Sequence, residues 1–150
     1  MKQIALILLF SMVLITAPNA GSSVNTIAGN VTPTVENFYI LETLTVYNPT
    51  HNQCDRSPLI TASNARIDTL KLGKQQLRWM ALSRNLLKRW NGVFNYGDTV
   101  NIYAGDPQID GSWIIQDNLN KRYKDRGDLL FDSRVRTLGK WKNVKISKAS

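Results

Sequence analysis

The 150-residue chain has a single cysteine, Cys54, and a single histidine, His51. One thiol cannot close an internal disulfide, so the fold has to stand on its core. One histidine and one cysteine do not build a usual zinc site, and neither a metal nor another cofactor is expected. A serine triad would have to use His51. Cys54 and His51 lie only three residues apart, whereas a Cys–His dyad is usually assembled from distant segments. There is no glycine-rich phosphate loop. Acidic residues are scarce, 11 against 19 Lys and Arg, which sets the net charge at +8 and the pI near 9.8. Internal repeats and low-complexity tracts are missing. Beyond residue 20 no apolar run is long enough to span a bilayer.

What is present starts with Lys2 and an uncharged run from Ile4 to Thr16, closed by Pro18, Asn19, Ala20, Gly21, Ser22 and Ser23. The run is short for a membrane span and suits a secretory signal over residues 1–22, so export to the periplasm, the cell wall or the medium is expected, with no stable membrane insertion after cleavage. An uncleaved anchor is the alternative. Removing residues 1–20 takes away Lys2 alone and leaves +7. That charge favours polyanions such as wall polymers, lipid headgroups or nucleic acid, and export disfavours the last. Residues 23–37 read as a flexible leader rich in Ser, Thr, Asn, Gly and Pro. With 43% apolar residues, the remainder supports one packed domain over residues 38–150.

Within that domain, β-branched and aromatic residues at 38–47 predict a strand, ended by the turn chemistry of Asn48-Pro49-Thr50. Further short strands are expected at 59–62, 79–82, 99–103, 113–115 and 141–147. A helical turn is expected within 66–77, and a short helix at 86–90 capped near Ser83. Asp117 falls at the end of the fifth strand, and Asp128 opens the apolar stretch Leu129-Leu130-Phe131. Trp79, Trp113 and Trp141 are assigned to the core. Many short strands with few helices predict a small closed barrel.

Three stretches carry the chemistry. The first is Thr45-Val46-Tyr47-Asn48-Pro49-Thr50 with Cys54-Asp55-Arg56-Ser57-Pro58 and Ile60-Thr61-Ala62-Ser63. The second is Ala81-Leu82-Ser83-Arg84-Asn85-Leu86 with Tyr96-Gly97-Asp98-Thr99-Val100. The third is Ile115-Gln116-Asp117-Asn118-Leu119-Asn120-Lys121-Arg122 with Gly127-Asp128-Leu129-Leu130-Phe131-Asp132-Ser133. Together they resemble the 3D domain of cell-wall proteins, named for three aspartates and found in the barrel of membrane-bound lytic transglycosylase A and of the small stationary-phase survival transglycosylases. The resemblance covers residues 44–147. Its most specific part is an aspartate at a strand end, a basic loop, and a second aspartate eleven residues later.

The resemblance implies a mainly-β, six-stranded double-psi β-barrel with short helices and a saccharide groove. It implies that Asp128 is the catalytic acid and base, with Asp117 and Asp55 completing the trio. The implied substrate is a peptidoglycan glycan strand, and the implied reaction is lytic cleavage of the β-1,4 bond between N-acetylmuramic acid and N-acetylglucosamine. The sequence departs from the family at Gly127, where a bulkier apolar residue is common, and at Leu129-Leu130, where a more β-branched pair is common. Residues 66–77 are longer than in compact members.

Such a reaction adds no water. One carboxyl protonates the leaving oxygen, then accepts the proton of the muramic C6 hydroxyl as that oxygen attacks C1. Ordinary glycosidases use two carboxyls. A general acid needs a raised pKa, which apolar neighbours of Asp128 and the charge of Asp117 would both supply, and which the basic residues Lys121, Arg122, Lys124 and Arg126 would oppose. The candidate substrate contacts are Tyr47, for stacking on a sugar, Thr61, Asn118, Lys121 and Arg122; the basic residues suit lactyl or peptide carboxylates. Each aspartate also has a purely structural reading: Asp117 as a turn cap, Asp128 as the cap of a short helix, Asp55 in a solvated loop. The competing functional reading is a barrel that binds wall glycan without cleaving it.

Overall fold

The computed structural model describes residues 37–54, 56–135 and 139–149. The signal segment, all of the leader but its last residue, and Asp55 lie outside the described residues. The described chain is mainly β, with six strands in one sheet: β1 (Phe38–Tyr47), β2 (Trp79–Leu82), β3 (Thr99–Tyr103), β4 (Gly111–Asn118), β5 (Arg126–Leu130) and β6 (Trp141–Lys148). The strand order β1-β5-β2-β4-β3-β6 closes on itself through the β1–β6 pairing, which makes a barrel without a free edge. Two pairs, β1–β5 and β2–β4, run parallel, and the other four run antiparallel. The set of pairings is unchanged when β1, β2 and β3 are exchanged with β4, β5 and β6.

The barrel is filled by inward side chains from every strand. Leu41, Leu44, Met80, Leu82, Val100, Ile102, Trp113, Ile115, Leu129, Val144 and Ile146 belong to one buried cluster. Trp113 is its largest member, and its Nε1 donates to the Ile109 carbonyl at 2.7 Å, so the buried N–H is paired. A second, smaller cluster of Ile67, Leu72 and Leu130 lies under the long loop between β1 and β2, with Tyr47, Leu59, Leu77 and Trp79 packed against it. Trp141 packs on the main cluster but is only half-buried.

β1 changes phase midway. Tyr39 and Leu41 join the main cluster from odd positions, while Leu44 and Val46 join it from even ones. Thr45 and Tyr47 are thereby left on the outer side. Residues 59–62 form no strand; Ile60 makes only an isolated bridge to Arg66. Instead of one helix at 86–90 there are two single-turn 3-10 helices, Arg84–Leu86 and Lys88–Trp90. Ser83 does not cap them, because its Oγ accepts from the Arg126 amide at 3.0 Å. The helical turn within 66–77 is α1 (Thr69–Gly73), capped by Asp68 Oδ1 accepting from the amides of Leu70 and Lys71.

Gly127 has a packing reason. It faces the interior, and a Cβ there would stand 3.0 Å from Leu44 Cδ1 and 3.1 Å from both Leu41 Cδ1 and Met80 Cε. Those long side chains already occupy the space that a bulkier residue would need. Gly127→Val is expected to lower stability by about 1–3 kcal/mol, visible as a lower urea midpoint at unchanged slope.

Candidate active site

Register alone assembles the centre of the site. Asp128 on β5 is opposite Thr45 on β1, and also opposite Ala81 on β2. Ala81 in turn is opposite Asp117 on β4. Thr45, Asp128, Ala81 and Asp117 therefore form one row across four neighbouring strands, on the outer side of the barrel. Strands lie about 4.8 Å apart, so the two aspartate Cα atoms are separated by about 10 Å with a methyl group between them. The side chain between them in the row, Ala81, is small and buried.

Asp117 reaches this face because of a bulge. Trp113 and Ile115 point into the barrel, and simple alternation would send Asp117 after them into the core. The β2–β4 register shifts between Met80 and Ala81, and Gln116 is the extra residue. The shift turns Asp117 outward. The loop before α1 clamps the bulge: the Ser63 amide donates to the Gln116 carbonyl at 3.1 Å, and Ser63 Oγ donates to Gln116 Oε1 at 2.5 Å. Thr61 is buried and shares a 2.9 Å hydrogen bond with Ser63 Oγ, so it shapes this turn.

The two carboxyls have different surroundings. Asp117 Oδ1 accepts from the amides of Asn118 at 2.8 Å and Ala62 at 3.1 Å, and Oδ2 accepts from the Tyr47 hydroxyl at 3.5 Å. Three donors suit an ionised carboxylate, which only accepts. Asp128 accepts a hydrogen bond from the Thr45 hydroxyl. Burial pushes its pKa up to about 6, while the nearby Arg126 guanidinium pulls it down. The expected push from the Asp117 charge does not contribute; desolvation raises this pKa. The Tyr47 hydroxyl faces both groups. Its pKa is raised well above the ordinary value by burial first, then by the charges of Asp117, Cys54 and Asp128. Tyr47 thus stays neutral and able to donate.

The other expected contacts divide. Asn118 is close by, its Oδ1 accepting from the Tyr96 hydroxyl at 2.6 Å. Lys121 and Arg122 are exposed on the β4–β5 loop, and Arg122 stacks 4.8 Å from the Tyr123 ring centroid and donates to its hydroxyl at 2.8 Å. No described contact ties either residue to the aspartate row. Asp128 caps no helix; it sits in mid-strand. Asp117 does accept from the next amide, as a turn cap would, but also reaches Ala62 and Tyr47.

Comparison with the models of known protein families and with curated proteins finds no match to this chain. The site is therefore read from its own geometry. Among the described residues no group of His, Cys, Asp and Glu is arranged to hold a metal ion. A separate hollow of about 30 Å³ lies beside Trp113 and Phe131, rimmed by Leu72, Leu77, Gln75 and Gln108. It is too small for a sugar and includes neither aspartate.

Thr45, Ala81 and the Gln116 bulge were not legible as site residues. Thr45 precedes Tyr47 by two, which places both on one face of a strand, and that spacing was the available signal. Ala81 is defined only by its cross-strand partners, which lie in distant segments.

Proposed function

We propose that this chain is an exported peptidoglycan lytic transglycosylase built on a double-psi β-barrel of the three-aspartate kind. The observation that carries the reading is the half-buried Asp128 carboxyl, with a pKa near 6, standing in one cross-strand row with Asp117. Two parallel strand pairs related by exchange of the two chain halves support the double-psi topology. The basic chain and the signal-like start support an anionic wall polymer as substrate.

In this reading Asp128 enters the reaction protonated and gives its proton to the glycosidic oxygen as the C1–O bond breaks. The resulting carboxylate then takes the proton of the muramic C6 hydroxyl, whose oxygen bonds to C1 and closes the anhydro ring. The acid regains its proton, and no water is consumed. Thr45 holds the carboxyl in place through both steps. Asp117, orienting Tyr47 and carrying negative charge, stabilises the cationic character that develops at C1.

The placement of both carboxyls in one cross-strand row also allows a second reading, inverting hydrolysis with a water between the carboxyls and Asp117 as base. Its weakness is that Asp117 is already committed to three donors. Digestion of purified sacculi, with mass detection of the products, separates the readings. Anhydromuropeptides are expected. Reducing-end sugars would replace the lytic reading by the hydrolytic one, and retention on sacculi without cleavage would leave a glycan-binding barrel.

The acid role also fixes a pH dependence. Activity as kcat/KM should fall as pH rises through about 6, because the protonated form is lost there. Arg126→Gln removes the cation that favours the carboxylate, so the alkaline limb of the profile should move to higher pH. A limb that stays in place or moves down would remove Asp128 as its source.

A further inference from the structure

One edge of the aspartate row carries an arginine cluster, of which the chemistry above involves only the charge of Arg126. Segment 83–85 runs beside segment 125–126: the Ser83 amide donates to the Arg126 carbonyl at 2.9 Å, and Asn85 Nδ2 donates to Asp125 Oδ1 at 2.7 Å. This brings Arg84 next to Arg126, which precedes Asp128 by two on the same strand face. Arg84 and Arg89 both stack on Trp90, at 5.0 and 5.4 Å from its ring centroid. Arg126 stacks on Tyr123 at 5.2 Å. Aromatic faces fix the planes of the guanidinium groups and leave their N–H edges to a ligand.

Among the described residues these arginines form no close ion pair, although the Arg126 charge acts on Asp128. The ion pairs among the described residues are Arg134–Asp132 and Lys148–Asp98, and they involve none of the three. Arg84 Nε is buried and has no hydrogen-bond partner among the described residues. The cluster adjoins the site at both ends. Arg89 and Arg84 lower the pKa of the Tyr96 hydroxyl, which burial and the charge of Asp117 raise, and Arg126 acts on Asp128. Guanidinium groups without a close ion pair repel cationic ligands and are suited to bidentate capture of carboxylates.

We propose that Arg84, Arg89 and Arg126 form a carboxylate-binding subsite along this edge, which selects glycans bearing free carboxylate groups on the sugar or its stem. The subsite rests on the glycan-active reading of the aspartate row and deepens it by naming the substrate feature that is recognised. It assigns recognition to Arg84 and Arg89, which are distant in sequence from the β4–β5 loop, rather than to Lys121 and Arg122.

The test measures binding, so that cleavage does not enter. Full-length Asp128→Asn is titrated calorimetrically with soluble peptidoglycan glycan strands carrying free carboxylates, and with the same strands after carbodiimide amidation. Amidation is expected to weaken binding about tenfold, the loss of one charge-assisted hydrogen-bond pair. Adding Arg84→Gln with Arg89→Gln should weaken the carboxylate glycan by a similar factor and leave the amidated glycan unchanged. Lys71→Gln with Lys74→Gln removes the same charge elsewhere and should stay within about twofold, since distant surface charges are screened. Equal binding of the two glycans, or equal losses on both in the arginine variant, overturns the proposal. If the Gln pair fails to fold, Arg84→Lys with Arg89→Lys keeps the charge without the fork. It is then expected to lose selectivity, and full retention overturns the proposal. Carboxylate selectivity without anhydro product from the wild type would end the lytic reading and leave the subsite standing. Product without selectivity would do the reverse.

Discussion

Asp128→Asn is expected to lower the release of anhydromuropeptides by about 10²–10⁴-fold, the usual worth of a positioned general acid, and to stabilise the fold at the same time. The two effects have one cause. The folded-state pKa of Asp128, about 6, lies above the value of 3.8 expected of an unperturbed aspartate. The protonated native state is therefore favoured below pH 4, and that advantage is lost as pH rises from about 4 through 6. At pH 8 the native state holds a partly buried anion. Asparagine keeps the size of the side chain and its acceptor for Thr45 but carries no charge. A gain of about 1–2 kcal/mol is expected at pH 8, after allowance for partial exposure, with little gain at pH 4. Paired melting curves at the two pH values check it. An aspartate kept only for structure would show the opposite sign, a loss of stability on replacement.

The second large effect is at Ala81. Its methyl group is the only side chain between the two aspartates in the row. Ala81→Leu adds three carbons at a buried position, forces the two carboxyls apart and displaces Asp128 from Thr45. Displacement on the scale of 1 Å at a reacting group lowers rate by about 100-fold. The same change overpacks the site by about 1–3 kcal/mol. Ala81→Gly, which leaves the spot open, should keep most of the activity. Turnover and circular dichroism on both variants separate lost alignment from lost fold. Equal activity in Ala81→Leu and wild type would mean that the row is not where the substrate reacts.

The strands were legible because their residues obey strand chemistry. Residues 38–47, 79–82, 99–103 and 141–147 are rich in β-branched and aromatic side chains, and each lies in an observed strand. Segment 59–62 has the same composition, but its Ala62 amide donates to Asp117 and the following Ser63 holds Gln116, and among the described residues it pairs with no strand of the barrel. The end-of-strand position of Asp117 was readable; the bulge that turns it outward was not. A register shift is decided by β2 pairing with β4, more than thirty residues away, and leaves no local mark. Asp128 was readable as an aspartate beside apolar residues. Its neighbours Leu129 and Leu130 do not cover it directly, because Leu129 points into the barrel and Leu130 into the second cluster. Its burial is a property of the folded outer face, which the local sequence does not show. The arginine edge was half-visible: Arg126 stood in an obviously basic loop, while Arg84 fell in the cap and Arg89 within the short helix expected at 86–90. Only the pairing of Ser83 with Arg126 brings the two together.

The measurement closest to the central claim is a carbon-13 NMR titration of the aspartate carboxyls, with Asp128→Asn assigning the Asp128 signal. That carboxyl is expected to titrate near pH 6 in the folded, glycan-free protein, and to shift further upward in Arg126→Gln. A midpoint near 4 in both proteins would contradict it, because Asp128 would then be an ordinary surface carboxylate with no proton to give near neutral pH.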